Sequence, residues 1–396
     1  MKESVCGAGQ CTGCMACIAK CPKSAITIED SLDSYTARID GDRCINCGVC
    51  EDVCQIKRPI AFKEAFFWKQ GWAAKMDIRE NSSSGGAAAA LIQQFIEDGG
   101  VVYSCVFRNG LFVFDCADTR EKALKFVGSK YVKSNPQMVY REIQNKLENG
   151  MSVLFLGLPC QVAGLLLFVS DRWKEKLYTI DLICHGSPSP KLFDQYMREH
   201  GVDISEIEDI RFRKKDDFRL WDNGYIPITS PDIFNRYLHS FLQCIVFTEN
   251  CYSCKFARRE RISDITLGDS WGSELSEEER KKGISLIIVS TVKGHKIVEK
   301  TDVILFDVNQ VRAMKANPQL VEPAKKTEKR SIFFESIKKG KRYDRAVFDC
   351  YPKLCLKQDL KYILARFHVL RGGNRIDYFL SYRCVNEKMD ESSREI

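Results

Sequence analysis

Hydrophobic residues recur with different periods along this 396-residue chain, and the changes of period mark its predicted elements. Helical spacing over 87–96, followed by a pair of glycines, predicts a helix that ends there. Two predicted strands, 101–107 and 111–115, flank Asn109-Gly110, which is the strongest short hairpin signal. Helices and strands then alternate, which is typical of an α/β sheet. The alternating elements are helix 136–147, strand 152–156, a helix from Gln161, strand 177–183 and helix 191–200.

The remaining pattern predicts short strands, loops and a helical end. From 324 onward the chain is expected to be helical and basic, with a disordered polar tail from 386. The other predicted elements are strands 25–28, 35–39, 66–76, 264–267, 285–291 and 303–307, twisted strands within 210–227, and a helix over 232–241.

One apolar run, 151–170, is about long enough to cross a membrane. Gly157, Pro159 and Gly164 interrupt it, so a buried strand, a loop and a helix explain the pattern better. We therefore expect no membrane span.

Composition agrees with a soluble globular protein, at 44% hydrophobic and 29% charged residues. The net charge of +7 is spread along the chain and permits an acidic substrate or cofactor, whereas no aromatic and basic motif indicates nucleic acid. The nineteen cysteines come without a signal peptide, which favours metal ligation in a reducing cytoplasm over a disulfide scaffold.

The N-terminal cysteines form two runs, 11–21 and 44–54, and each reads C-x2-C-x2-C-x3-C. Bacterial ferredoxins hold [4Fe-4S] cubes with this spacing, taking three thiolates from one run and the fourth from the other. Structural zinc also uses C-x2-C pairs, but it needs only four thiolates. In the second run, Gln55 replaces the proline that follows Cys21 in the first. The predicted ligands are Cys11, Cys14, Cys17 and Cys54 for the first cluster, and Cys44, Cys47, Cys50 and Cys21 for the second.

Two short loops have the residues of an anion site. The first places three serines and two glycines before the predicted helix, where hydroxyls and backbone N–H groups favour an anion, although a serine there is often only a helix cap. The second, 128–131, adds a lysine. Together they suggest a dinucleotide, although neither G-x-G-x-x-G after a strand nor a P-loop is present. The loop residues are Ser82, Ser83, Ser84, Gly85 and Gly86 in the first, and Gly128, Ser129, Lys130 and Tyr131 in the second.

Cys160 and Cys184 each follow a predicted strand, so both are expected at the edge where α/β sheets place their sites. With the loop pair Cys251 and Cys254 they could form a third cluster; structural zinc and a redox disulfide are the alternatives. His185 is interpreted as structural, although a ligand or proton donor is possible chemistry for it. Most other cysteines are interpreted as small buried hydrophobes: Cys6, Cys105, Cys116, Cys244, Cys350, Cys355 and Cys384.

Three basic runs, 211–215, 258–261 and 338–342, are interpreted as solvated faces. A landing surface for an acidic cofactor or a partner protein is the alternative.

Several segments in order resemble the coenzyme F420 hydrogenase/dehydrogenase beta subunit family, over roughly 65–320. The resemblance implies FAD at Ser83–Gly86 and Ser129–Lys130, with Asp269 and Gly272 lining the same cavity. It also implies a further [4Fe-4S] cluster on Cys160, Cys184, Cys251 and Cys254. The HGSPSP version, 185–190, is similar to the bacterial branch with a fused ferredoxin module. The segments are SSSGGAAAALIQQFIEDGGVVYSCVF, GSKYVKS, GLPCQVAGLL, DLICHGSPSP, CYSCKFA and SDITLGDSWG.

The predicted fold is thus a bacterial-ferredoxin-like βαββαβ module over 1–60, a mixed α/β flavin-binding core over 61–325 and a helical, basic region over 326–396. The predicted function is an FAD- and [4Fe-4S]-dependent oxidoreductase that exchanges hydride with an organic substrate, coenzyme F420 among the candidates. The alternative is an electron-transfer subunit without its own substrate. A redox partner protein is expected, and the chain could form oligomers.

Overall fold

The computed structural model describes residues 2–222, 226–228 and 235–366. Its N-terminal module contains the antiparallel strands β1 (Ile26–Asp30) and β2 (Tyr35–Ile39) and the helices α1 (Ala16–Lys20) and α2 (Val49–Asp52). The predicted hairpin is confirmed, but the βαββαβ order is not observed. Outside the hairpin only single bridges form, from Ser4 and Cys11, because the neighbouring residues build the cysteine-bearing loops.

The rest of the chain supplies eleven further strands and thirteen further helices within the described residues. The strands are β3 (Phe67–Ala73), β4 (Val101–Arg108), β5 (Leu111–Ala117), β6 (Val153–Gly157), β7 (Leu177–Leu182), β8 (Ile210–Arg211), β9 (Trp221–Asp222), β10 (Ile226–Pro227), β11 (Ile265–Asp269), β12 (Ser285–Val289) and β13 (Val303–Asp307). The helices are α3 (Met76–Asn81), α4 (Ala87–Glu97), α5 (Arg120–Ala123), α6 (Gln137–Glu148), α7 (Pro159–Phe168), α8 (Pro190–Glu199), α9 (Arg236–Leu242), α10 (Glu277–Lys281), α11 (Val292–Lys300), α12 (Gln310–Ala316), α13 (Glu328–Lys338), α14 (Tyr343–Cys350) and α15 (Pro352–Arg366).

Eight strands form one mixed sheet in the order β13-β3-β12-β11-β7-β6-β4-β5. The four strands β4, β6, β7 and β11 run parallel to one another, as the alternation of strands and helices predicts. The hairpin of β4 and β5 turns at Asn109 and Gly110, both with positive φ. On the other side β12, β3 and β13 pair antiparallel. Three short strands, β8 to β10, form a separate sheet.

The parallel strands direct their carboxyl ends to one edge of the sheet. Leu158 caps α7 directly after β6, so Cys160 lies in the first turn of that helix. Cys184 follows β7, and Asp269 ends β11. Parallel α/β sheets place ligands at this edge, which makes these three positions neighbours of a possible site.

The N-terminal module packs on α6 and α7 and shares a continuous hydrophobic core with the large sheet. Tyr140 on α6 donates a hydrogen bond of 2.7 Å to the carbonyl of Cys14. A Cβ atom at Gly164 on α7 would lie 3.1 Å from Cys14 Sγ. This close packing brings the first cysteine run against the carboxyl edge of the sheet.

Among the described residues, no helix has both the length and the apolar character that crossing a membrane would require. The run 151–170 instead forms β6 and α7, as predicted. The predicted polar tail from 386 lies outside the described residues.

Candidate cluster chain and cofactor cavity

The cysteines predicted for the first cluster lie together around a small cavity of about 20 Å³, and Cys6 lines it with them. The Cys6 thiol interacts with those of Cys11 and Cys54; this contact lowers the pKa of Cys54 to about 6 and also lowers the pKa of Cys11. Cys6 is buried, as expected, but it is not merely a hydrophobe, because it contacts two predicted ligands. The four predicted ligands at this cavity are Cys11, Cys14, Cys17 and Cys54.

The second group lies nearer the surface. Cys47 is exposed and Cys44 is half-buried, while Cys21 is buried and accepts the Ala25 N–H at 3.3 Å. Burial raises the pKa of Cys50, and Cys21 and Cys47 contribute to the same shift. Cys21 therefore lies with the second run, as the crossed ligation of two cubes requires.

The third group surrounds a cavity of about 320 Å³ at the carboxyl edge of the sheet. Burial raises the pKa of Cys184, and the other three cysteines contribute to that shift. Lys133 also lines the cavity, and its ammonium donates to Cys160 Sγ at 3.1 Å. The converging cysteines are Cys160, Cys184, Cys251 and Cys254.

In the part of the chain that the structure describes, no three His, Cys, Asp or Glu side chains are arranged around a point where one metal ion could bind. A [4Fe-4S] cube has a different requirement, since each of its four thiolates binds a different iron atom. The residues at all three sites thus match a cube in chemistry, with four thiolates each, and the core cavity offers room for a group larger than an ion.

Gln55 connects the first and third cysteine groups. Its side-chain amide donates to Thr12 Oγ1 at 2.9 Å and to the carbonyl of Cys160 at 2.9 Å. Thr12, Gln55 and Ile56 line both the first cavity and the third. The Lys255 ammonium, which also lines the third cavity, donates to the backbone carbonyl of Gln55. The residue that replaces the ferredoxin proline therefore joins the module to the core.

A larger cavity of about 540 Å³ adjoins the third cysteine group. Pockets of 300–1,000 Å³ are typical of sites for small molecules and cofactors. Its lining includes seven of the nine residues predicted to bind a cofactor, and it shares several residues with the third cavity. The seven are Ser82, Ser83, Ser84, Gly86, Ser129, Lys130 and Asp269. The shared residues are Leu158, Cys184, His185, Gly186, Ser187 and Gln319.

The two predicted anion loops contact each other at this cavity. The Ser129 N–H donates to Ser83 Oγ at 3.0 Å, while the hydroxyls of Ser82 and Ser84 donate to backbone carbonyls. None of the three serines caps α4, because the N-cap is Gly86 with φ 85°. The alternative of a simple serine cap is therefore wrong.

Lys130 differs from its predicted role as the positive charge of an anion site. Its ammonium donates to the carbonyls of Val127 at 3.0 Å and Gly128 at 3.3 Å, so it closes its own loop. Burial lowers its pKa. Lys130 still lines the cavity, but its hydrogen-bonding capacity is largely used by backbone oxygens.

Gly85 and Gly272, the other two predicted cofactor residues, do not line the cavity. A Cβ atom at Gly85 would lie 2.5 Å from the carbonyl of Gly71, so this glycine lets the loop approach β3. Gly272 has φ 75° and lies next to Ala316, which does line the cavity. Both glycines therefore affect the wall of the large cavity without lining it.

A buried ion pair in the wall of the large cavity was not predicted from the sequence. Arg213 Nη2 donates to both carboxylate oxygens of Asp269, at 2.8 and 2.7 Å, and its side chain is only 4% exposed. Arg261 is likewise buried against Asp181. The interpretation as solvated faces is wrong for these two arginines, whose partners lie 56 and 80 residues away along the chain.

His185 lies where the two larger cavities meet. Its Nε2 is 3.3 Å from Cys244 Sγ, and its Nδ1 contacts the Gln319 side chain. Burial lowers the pKa of His185, which favours the neutral ring. Nothing in the local sequence indicated that this histidine faces two cavities.

Two family models match segments of the chain. Residues 10–57 match the family model described as 4Fe-4S dicluster domain. Residues 150–308 match the model for the C terminus of the coenzyme F420 hydrogenase/dehydrogenase beta subunit. This segment belongs to that beta subunit family. The two matches thus indicate an iron-sulfur protein with a beta subunit-like segment.

Among solved structures, a chain of the F420-reducing [NiFe] hydrogenase complex from Methanosarcina barkeri is similar to this one. The two are 18% identical with a TM-score of 0.41, and the match covers 71% of this chain and 97% of the other. No curated protein matches the sequence.

Proposed function

We propose that this beta subunit relative is an iron-sulfur flavoprotein oxidoreductase with two [4Fe-4S] clusters in the module, a third in the core and FAD in the large cavity. One observation carries the proposal: the three cysteine groups and the large cavity are neighbours in the structure. Cys21 of the second group donates its backbone N–H to the carbonyl of Cys17 in the first at 3.2 Å. Cys50 contributes to the raised pKa of Cys17 in the first group, whose cavity shares residues with the third, which in turn adjoins the large cavity.

The residues present fit these groups. Twelve cysteines would hold three cubes, and the Ser83 and Ser129 loops with the first turn of α4 would face the diphosphate of FAD. The N–H groups in the first turn of a helix have no acceptor within that helix, so they favour an anion. When bound, the clusters carry electrons singly and FAD exchanges them in pairs with an organic substrate, coenzyme F420 among the candidates.

The protein would position the clusters and FAD and shield them from water. The cysteines of the third group are half-buried and line a cavity that residues of the module also line. His185 and Gln319 form part of the wall towards the large cavity. Trp271 lines the same cavity and is 43% exposed, which would leave this side open to a substrate.

A second candidate is an electron-transfer subunit of a larger redox complex. Two features favour it: Cys47 is exposed, and Ile45 beside it is 57% exposed, which suits contact with a partner protein. Protein that reduces no small molecule alone, but delivers electrons once its partner is added, would support this candidate.

Anaerobic purification with iron, sulfide, zinc and flavin measured per chain tests the main proposal. We expect about twelve irons and about one FAD. About eight irons with zinc or no metal in the core, and no flavin, would contradict both the third cluster and the flavoprotein. Reduction of the purified protein by reduced F420 would then test the substrate.

A further inference from the structure

Lys133 is a buried lysine that faces the third cysteine group. The residue is 3% exposed, and its backbone N–H donates to the carbonyl of Pro188 at 3.0 Å, which fixes the start of the side chain. Its ammonium donates to Cys160 Sγ at 3.1 Å. The lysine therefore approaches a predicted cluster ligand directly.

The buried charge of Lys133 lacks a carboxylate partner. In the described residues, no Asp or Glu oxygen forms an ion pair with its ammonium. Burying an unpaired ammonium costs several kcal/mol, so such a group needs a negative charge nearby. The negative charges that would act on Lys133 are the thiolates of Cys160, Cys251 and Cys184, and Cys160 Sγ lies 3.1 Å from its ammonium.

We propose that Lys133 is the built-in counter-ion of the third cluster and raises its reduction potential. This inference rests on the proposed function, because it needs a [4Fe-4S] cluster at that site. With four thiolates such a cluster carries a charge of about −2 when oxidised and about −3 when reduced. A fixed positive charge and a hydrogen bond to a ligand sulfur stabilise the more negative, reduced form, so the potential rises.

The position of Lys133 determines which clusters its charge affects. Lys133 lies within electrostatic range of Cys11 as well, so a smaller effect is expected on the first cluster. The second cluster, near the surface, should not respond. The Lys133 charge would thus raise the potential of the third cluster more than the potentials of the other two.

Redox titration of the anaerobic full-length protein, followed by the electron paramagnetic resonance signals of the reduced clusters, tests the proposal. Lys133→Met removes the charge and the donor, whereas Lys133→Gln keeps an N–H donor without the charge. For Lys133→Met we expect the one-electron reduction equilibrium of the third cluster to fall at least tenfold, which is about 59 mV. Lys133→Gln should show a smaller fall in the same direction.

Lys255→Met is the matched control. Lys255 lines the same cavity, but its ammonium donates to the carbonyl of Gln55 instead of to a sulfur. Its removal should shift the third potential less than Lys133→Met does. An equal or larger shift would overturn the specific role of Lys133.

Iron content distinguishes a protein without the third cluster from a protein in which Lys133 does not act as its counter-ion. Wild-type protein with about eight irons and only two cluster signals would refute the third cluster itself. Wild-type protein with three signals, and a third potential that is unchanged in Lys133→Gln and in Lys133→Met, would overturn the counter-ion role alone. If Lys133→Met loses its third signal, the potential of Lys133→Gln decides.

Discussion

At the scale of single residues, Gln55 links two sites that a ferredoxin proline could not link, because proline has no side-chain donor. The Gln55 amide serves Thr12 Oγ1 and the Cys160 carbonyl, and the residue is 1% exposed. We predict that Gln55→Leu lowers the free energy of unfolding by about 1–3 kcal/mol, since buried acceptors lose their donor. Anaerobic guanidinium unfolding measures this change.

Gln94→Leu is the control for that prediction. The Gln94 amide donates to Asp98 near the protein surface, where water can replace the lost bond. Its unfolding free energy should change by less than about 0.5 kcal/mol. Equal losses in the two variants would show that Gln55 contributes nothing specific to the joint between module and core.

His239 gives stability a dependence on pH. Burial, with a smaller effect from Lys329, lowers its pKa to about 4 from 6.5, and its ring lies edge-on to Tyr351 at 4.9 Å. Below about pH 6.5 the unfolded chain binds a proton that the folded chain does not, so stability falls as the pH drops towards about 4.

His239→Phe keeps a ring but cannot titrate. We predict that its thermal unfolding midpoint falls less between about pH 7 and about pH 5 than that of the wild type. A parallel fall in both proteins would contradict the prediction.

At the scale of elements, the start of α4 depends on a glycine that touches the sheet. A Cβ atom at Gly85 would lie 2.5 Å from the Gly71 carbonyl and 2.6 Å from the Ser285 nitrogen, and backbone atoms cannot easily move aside. We predict that Gly85→Ala displaces the loop and reduces bound flavin at least tenfold per chain, as measured in anaerobically purified protein.

Gly99→Ala, at the other end of α4, is the matched control. Gly99 has φ 82°, and a Cβ atom there would meet nothing within 4 Å. Its cost should be backbone strain of about 1 kcal/mol, with normal flavin content. Normal flavin in Gly85→Ala would contradict the prediction that this glycine positions the loop for the cofactor.

The same elements show what the sequence could predict. Local patterns predicted the hairpin at Asn109, the helix that became α4, and the place of Cys160 and Cys184 after parallel strands. Local patterns could not predict that β3 and β13 pair beside β12, because strand pairing depends on partners more than 200 residues apart. The burial of Arg213 and Arg261 was missed for the same reason: the partner carboxylates are distant in sequence.

At the scale of the whole molecule, the three cysteine groups lead from an exposed end to a half-buried group at the edge of the large sheet. Cys47 marks the exposed end, whereas the third group lies under the module at the edge of the sheet. If electrons from a partner protein enter at the exposed end, loss of the cluster there should slow their entry. The other two clusters should remain bound. Small reductants that reach the large cavity should remain effective.

Cys47→Ser tests this order. Provided that the chain holds three clusters, we predict about eight irons in place of about twelve, and at least a tenfold slower reduction by a ferredoxin-type donor. Reduction of the remaining centres by a small-molecule donor at the large cavity should stay near the wild-type rate.

Cys116→Ser is the control, because Cys116 lies on β5 outside the three groups and should change neither value. Stopped-flow absorbance separates the two routes. If the protein donor works equally well on Cys47→Ser and the wild type, electrons must enter elsewhere, and the exposed cysteine is not the entrance.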